Sequence, residues 1–167
     1  MSGLLRNLWV VLRALFYFGT APPLSQTETT FFVSPLDAGL FTLKSDKYLQ
    51  LVEAAQLDYL IKTTVIREML GKRYSFVNAA QSIRFVKPIR LFSRVRVESQ
   101  LAYLDEKFGY FCHRLMVGQV LHAEVFVKMK FKRGSVTVAP KQLVGAFDRA
   151  KPMVLTRWDE TLVTPSQ

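Results

Sequence analysis

The chain changes hydrophobic period along its length. From about Ser45 to Lys62, Tyr48, Leu51, Val52, Ala55, Tyr59 and, on the flank, Leu60 recur at helical spacing with charges between them. That spacing predicts a long amphipathic helix. Ser45 or Asp46 offers an N-cap side chain at its start. A further helical turn or two over 64–70 is predicted to stop at Gly71. Downstream the period falls to two. Val95, Val97, Ser99, Leu101 and Tyr103 alternate with Arg94, Arg96, Glu98 and Gln100. Leu121, Ala123, Val125, Val127, Met129 and Phe131 alternate with His122, Glu124, Lys128 and Lys130. "FGYFCHRLMV" lies between these runs after a tight "DEK" turn, and "AAQSIRFVK" leads to Pro88. Long strands with such short connections predict an antiparallel meander. "ETTFFVS" at 28–34 reads as a short strand, with a turn over Pro35–Gly39. "SVTVAP" reads as a short edge strand, and "TRWDETL" as a last helical turn in a weakly patterned tail.

The order is strand, long helix, then three or four long strands: an α+β chain. One helix covers one face of such a sheet, which leaves an edge and some surface for another subunit. The chain divides into an amphipathic segment and linker at 1–27, a central domain at 28–140 and an extension at 141–167. In the linker "GTAPPLSQT", Pro22-Pro23 prevents helix continuation. Residues 4–18, "LLRNLWVVLRALFYF", are apolar except for Arg6, Asn7 and Arg13. They are too short and too basic to span a bilayer, which takes roughly 20 mostly apolar residues. "YFGTAPP" is a poor signal-cleavage site. Two readings stay open. The segment is an interfacial helix whose arginines reach anionic headgroups, or it packs on its own domain or a partner subunit.

Composition narrows the function classes. Half of the 167 residues are hydrophobic and 13 are Phe, which excludes a disordered chain. The net charge of +10 points to an anionic partner: nucleic acid, an acidic membrane surface or a phosphate-rich small molecule. The basic residues are scattered without a compact nucleic-acid signature, which disfavours nucleic acid. The single cysteine, Cys112, excludes an intrachain disulfide, fits a reducing compartment and reads as core. The two histidines, His113 and His122, fall on strands with no metal-ligand spacing around them. They read as strand residues facing a partner or solvent, and no metal site is expected. A nucleophile elbow and a glycine-rich phosphate loop are both missing.

Asp37, in "SPLDAG", carries the candidate chemistry. A carboxylate near a helix start can act as a nucleophile or activate water for attack. The alternative is a turn aspartate whose oxygen accepts a backbone N–H. Glu53, inside the helix beside Val52, is a second candidate base or a solvated flank residue. Tyr48 is core or a substrate contact. Arg84, Lys87, Arg90, Arg94 and Arg96 cluster around Pro88, as an anion site or as a solvated strand face and turn.

"DAG" at 37–39, "YLQLVEAA" at 48–55 and the run "SIRFVKPIRLFSRVRVESQLAYLDEKFGYFCHRL" resemble, in order and spacing, the hotdog-fold acyl-CoA thioesterases. The nearest group is the thioesterase-like branch of the 4-hydroxybenzoyl-CoA thioesterase superfamily, and the late "RWDE" is also similar to that branch. The resemblance implies a hotdog fold, in which a long central helix is wrapped by a curved antiparallel β-sheet. It implies hydrolysis of an acyl-CoA to free acid and CoA, with Asp37 as nucleophile or general base and Glu53 in reserve. The Asp37–Phe41 backbone would donate to the oxyanion. Gly39, Tyr48, Arg84, Lys87, Arg90 and Arg94 would contact substrate, the basic residues through the phosphates and nucleotide of CoA. CoA enters as part of the substrate and no cofactor is implied. The resemblance further implies a homo-oligomer, a dimer or a tetramer, with the site between subunits. The expected location is the cytoplasm, with peripheral membrane contact as an added expectation. One departure stands out: the family's His-x-Asn region reads "TLKSD" at 42–46, without histidine or asparagine. A non-catalytic acyl-CoA binding protein at a membrane surface is therefore the alternative.

Overall fold

The helical period over 45–62 produces one long helix, α1 (Ser45–Lys62), in a computed structural model that describes residues 8–12, 16 and 18–163. Ahead of it runs strand β1 (Thr27–Phe32). After it come α2 (Val65–Lys72), β2 (Ser75–Phe85), β3 (Arg94–Leu104), β4 (Gly109–Val117), β5 (Val120–Arg133), β6 (Val136–Val138), α3 (Lys141–Val144) and α4 (Met153–Val163). The expected N-cap is corrected. Lys44 occupies that position without a side-chain cap. Its amide donates to the Asp37 carbonyl at 3.1 Å, so pairing with the preceding loop, not Ser45 or Asp46, fixes where α1 begins. Gly71 does not end α2 either. The helix closes at Arg73, in the left-handed conformation at φ 54°, and the Tyr74 amide donates back to the Met69 carbonyl at 2.8 Å.

The strands form one antiparallel sheet in the order β1-β3-β4-β5-β2, with β6 continuing along β5. The β3-β4-β5 meander is as the sequence predicts. β2, however, lies beside β5 at the far edge rather than beside its sequence neighbour β3. The 86–93 connection makes the crossing. It bonds to β5 through the Val86 and Lys87 amides on the His122 carbonyl, and to the Asp37 loop through Leu43 N–H on Ile89 O and Leu91 N–H on Phe41 O. It then reaches β1, where Val33 and Phe92–Ser93 exchange backbone bonds. This crossing carries the sheet around the start of α1.

Strand alternation packs one face on α1. Val95, Val97, Ser99 and Leu101 of β3, and Ala123, Val125, Val127, Met129 and Phe131 of β5, are buried there. On α1, Tyr59 meets Phe111 edge-on with centroids 5.5 Å apart. A register shift between Leu101 and Tyr103 breaks the predicted alternation. Leu104 is buried in place of Tyr103, which packs instead on Tyr110 and Phe147. His113 is also corrected: it is fully buried, facing neither solvent nor a partner. Cys112 is buried as expected, and burial pushes its thiol up to about 11.

The outer face carries an ion-pair row, in which Glu124 meets both Arg84 and Arg114. Further along it is covered by α4, where Leu155 is fully buried and Trp158 packs edge-on to Tyr110. Of the segment expected over 4–18, residues 4–7, 13–15 and 17 lie outside the described residues. Residues 8–12 are helical, and Val10 joins the core. The following stretch runs along the end of α1, with Gly19 N–H on Ile61 O and Ala21 N–H on Lys62 O. Gly19 holds φ +58°, and a Cβ there would lie 2.4 Å from the Arg67 side chain, so only glycine fits without displacement. Among the described residues no helix is long and apolar enough to cross a membrane.

Candidate active site

The loop between β1 and α1 is built around the Asp37 carboxylate. The Ser34 amide and hydroxyl both donate to Asp37 Oδ2, at 3.2 and 2.6 Å, and the Asp37 amide returns to the Ser34 carbonyl at 2.9 Å. Gly39 N–H bonds Thr42 O at 2.8 Å. Gly39 therefore tightens the loop, and Asp37 sits only 2 % exposed where α1 begins. Within 37–41 the Asp37 and Gly39 amides are engaged in the loop's own bonds.

Asp37 lines a cavity of about 430 Å³, within the usual range for small-molecule sites. Strand β1 forms one wall through Phe31 and Phe32, and Trp9 and Val10 of the amino-terminal helical turn form another. Arg94, which pairs with Phe32 across the β1–β3 ladder, also lines it. Of the site residues expected from sequence, the cavity brings together Asp37 and Arg94. Glu53 lies exposed on α1 between buried Val52 and Ala54 and does not line it. Tyr48 is buried, meets Phe85 edge-on at 5.0 Å, and accepts a hydrogen bond from the Ile89 amide at 3.2 Å. It thereby ties α1 to the crossing connection that carries exposed Lys87 and Arg90. Arg90 bridges Thr42 of the Asp37 loop, while Arg84 is held by Glu124 at 3.1 Å.

A second carboxylate on the cavity was not anticipated. Asp58 of α1 is 2 % exposed and accepts from Thr29 Oγ1 at 2.5 Å and from Lys62 Nζ at 2.6 Å. The sequence does carry a signal for it. Leu51, Ala55, Asp58 and Lys62 share one helical face, so the apolar period itself places Asp58 inward with a cation four residues on. A buried polar row lies nearby on the sheet, where Thr27, Ser99 and His113 stand in register across β1, β3 and β4. Ser99 Oγ and His113 Nδ1 are 2.8 Å apart. Thr27 Oγ1 and His113 Nε2 have no partner among the described residues. Burial lowers the His113 pKa to about 3, so the ring is neutral at physiological pH. Among the described residues no three His, Cys, Asp or Glu side chains converge as a metal site would require.

A curled antiparallel half-barrel wrapped on one long helix defines a hotdog-fold protein. The chain belongs to the thioesterase-like superfamily, whose profile matches residues 15–146. Solved structures show the same fold. The probable thioesterase YbaW of Escherichia coli superimposes with a TM-score of 0.64 at 18% identity, covering 70% of this chain and 98% of that one. A hypothetical protein of Staphylococcus aureus, solved in complex with CoA, gives 0.61 at 13% identity, covering 81% and 94%. The 1,4-dihydroxy-2-naphthoyl-CoA thioesterase of Synechocystis gives 0.60 at 11% identity, covering 72% and 97%. Among curated proteins, none matches the sequence.

Proposed function

We propose that the protein hydrolyses an acyl-CoA thioester to the free acid and CoA, with Asp37 as nucleophile or general base. The observation that carries this reading is a buried carboxylate lining an apolar cavity, on the loop that leads into α1. In the nucleophilic route the Asp37 carboxylate adds to the thioester carbonyl, CoA leaves as its thiolate, and water hydrolyses the resulting anhydride. In the general-base route Asp37 takes a proton from the attacking water. Either way negative charge develops on the carbonyl oxygen, and in this reading backbone N–H groups of the Ala38–Phe41 stretch, near the positive end of α1, donate to it. Lys87, Arg90 and Arg94 are the cations for the phosphates of CoA, with Arg84 further along β2. The fold shared with a CoA-bound protein supports CoA as the ligand.

The reading includes a homodimer. β2 is an eleven-residue edge strand, and its Val77 is 44 % exposed, a surface suited to a second copy. Gln56 and Asn78 hydrogen-bond between α1 and β2 at 3.0 Å, so this edge lies beside the part of α1 that carries Glu53. A partner docked there would bring Glu53 into a shared site. A cytoplasmic location with peripheral membrane contact goes with the reading, since Leu8, Trp9 and Leu12 are half-exposed beside a strongly basic chain.

A second reading, acyl-CoA binding without catalysis, is favoured by one specific geometry. Asp37 Oδ2 takes two hydrogen bonds from Ser34, as in a turn aspartate, and "TLKSD" at 42–46 holds no histidine or asparagine. A thiol-release assay across acyl-CoA chain lengths, run beside CoA binding by calorimetry, separates the two. Release of CoA from some acyl-CoA supports hydrolysis, and CoA binding with no release across the series replaces it with the binding reading.

A further inference from the structure

We propose that a second membrane contact lies on the folded domain: a face of Phe32, Phe92 and Trp9, flanked by Arg90 and Arg94, that docks on an anionic phospholipid bilayer. It deepens the peripheral membrane contact above, which rests on residues 8–12 and the overall charge. Phe92 carries the inference. Ser93 N–H bonds Arg90 O at 3.2 Å, which closes a turn with Phe92 at its third position. Phe92 holds φ 65° there. A turn with positive φ at that position selects glycine, and a bulky side chain in the left-handed region is an outlier. Arg73 also has positive φ, but it closes helix α2, where that conformation is ordinary. Phe92 closes no helix, and its side chain remains 61 % exposed. A conformational cost that burial does not offset marks a residue retained for a contact outside its own fold.

Phe92 belongs to a continuous surface. Its ring centroid lies 6.1 Å from that of Phe32, which is exposed as well at the end of β1. Trp9 and Arg94 line the same cavity as Phe32, so the aromatic pair adjoins the amino-terminal helical turn with its half-exposed Leu8, Trp9 and Leu12. Arg90 and Arg94 bracket Phe92 in sequence, and both are exposed. Aromatic rings set between exposed arginines match the boundary of an anionic bilayer, where rings settle at headgroup depth and guanidinium groups meet phosphate. A second copy has its place elsewhere. β1 and β2 are opposite edges of the sheet, and the dimer reading puts the partner on β2.

The test is co-sedimentation of the full-length protein with vesicles of phosphatidylcholine, alone or mixed with phosphatidylserine. CoA is left out, because Arg90 and Arg94 are also the cations assigned to its phosphates. Wild type, Phe92→Gly and Phe92→Trp are compared, each with a thermal melt and a light-scattering mass. Phe92→Gly relieves the turn, so it is expected to melt at or above the wild-type temperature while its affinity for anionic vesicles falls roughly tenfold. Phe92→Trp keeps a ring at the turn and is expected to bind as tightly as wild type. Binding is expected to need phosphatidylserine and to weaken as salt rises. A wild type that binds no vesicle overturns the proposal together with the membrane contact above. A wild type that binds no better than Phe92→Gly leaves that contact to the amino-terminal segment and overturns the proposal alone. A Phe92→Gly protein that melts well below wild type makes the ring structural, and one that falls from dimer to single chain makes the face a subunit interface. Either result overturns the proposal, as does equal binding to neutral and anionic vesicles.

Discussion

Three buried polar side chains of the core differ in how they are satisfied. Asp58 is neutralised by Lys62 and bonded by Thr29, the arrangement of a structural ion pair. Asp37 is held by Ser34 of its own turn, on the loop that starts α1. Its place on the loop that leads into α1 is why Asp37 and not Asp58 is read as the chemical carboxylate. His113 is the third, with Ser99 as its hydrogen-bond partner and a pKa lowered to about 3 by burial. Its unfolded value is about 6.5, so the unfolded state binds the proton more readily across the interval between the two. The folded pKa is depressed. The stability tied to the neutral ring is therefore present above about 6.5 and is lost as the pH falls toward 3. Thermal melts between pH 7 and pH 4.5 are expected to show this loss in the wild type. His113→Gln, which keeps a hydrogen-bonding group for Ser99, should flatten the dependence over the same interval. Parallel profiles for the two proteins would show that His113 is not the group responsible.

Among the elements, α4 owes its place to one charged cluster. Asp159 accepts from Lys128, Lys151 and the Tyr110 hydroxyl at 2.8, 2.5 and 2.6 Å. Burial raises the Asp159 carboxyl, the three donors outweigh it, and the net shift is downward. Asp159→Ala leaves the two lysines and the buried tyrosine without that acceptor. It is expected to cost about 1–3 kcal/mol in chemical denaturation and to expose the 141–152 stretch to trypsin. Unchanged stability and an unchanged digestion pattern would contradict this anchoring. The pattern of the chain already held α1, the β3-β4-β5 meander and the loop aspartate, because each rests on local period or a short motif. What it did not hold depends on partners distant in sequence. The position of β2 beside β5 is set by the 86–93 crossing, and the outward turn of Tyr103 by a one-residue bulge. His113 was hidden because β4 is apolar on both faces. Tyr110 and Cys112 are buried on one side, and Phe111, His113 and Leu115 on the other, so alternation alone could not say which side held the histidine. Asp58 is legible in the α1 period, but its partner Thr29 lies on β1, distant in sequence.

At the scale of the molecule, the fold and the family are established and the assembly and reaction are the claims at stake. The open β2 edge and exposed Val77 lead to the expectation of a dimer, so light scattering at micromolar concentration should give twice the 19.1 kDa chain mass. Val77→Lys should shift it toward one chain. A wild type already at the single-chain mass would remove the shared site and leave Glu53 without a role. The most direct test of the account is the rate of acyl-CoA hydrolysis by wild type, Asp37→Asn and Glu53→Gln, with CoA affinity measured on the same preparations. The account predicts that Asp37→Asn keeps its fold and CoA affinity but loses on the order of 10² or more in rate, with Glu53→Gln losing less. An Asp37→Asn protein that turns over the substrate as fast as the wild type would contradict it.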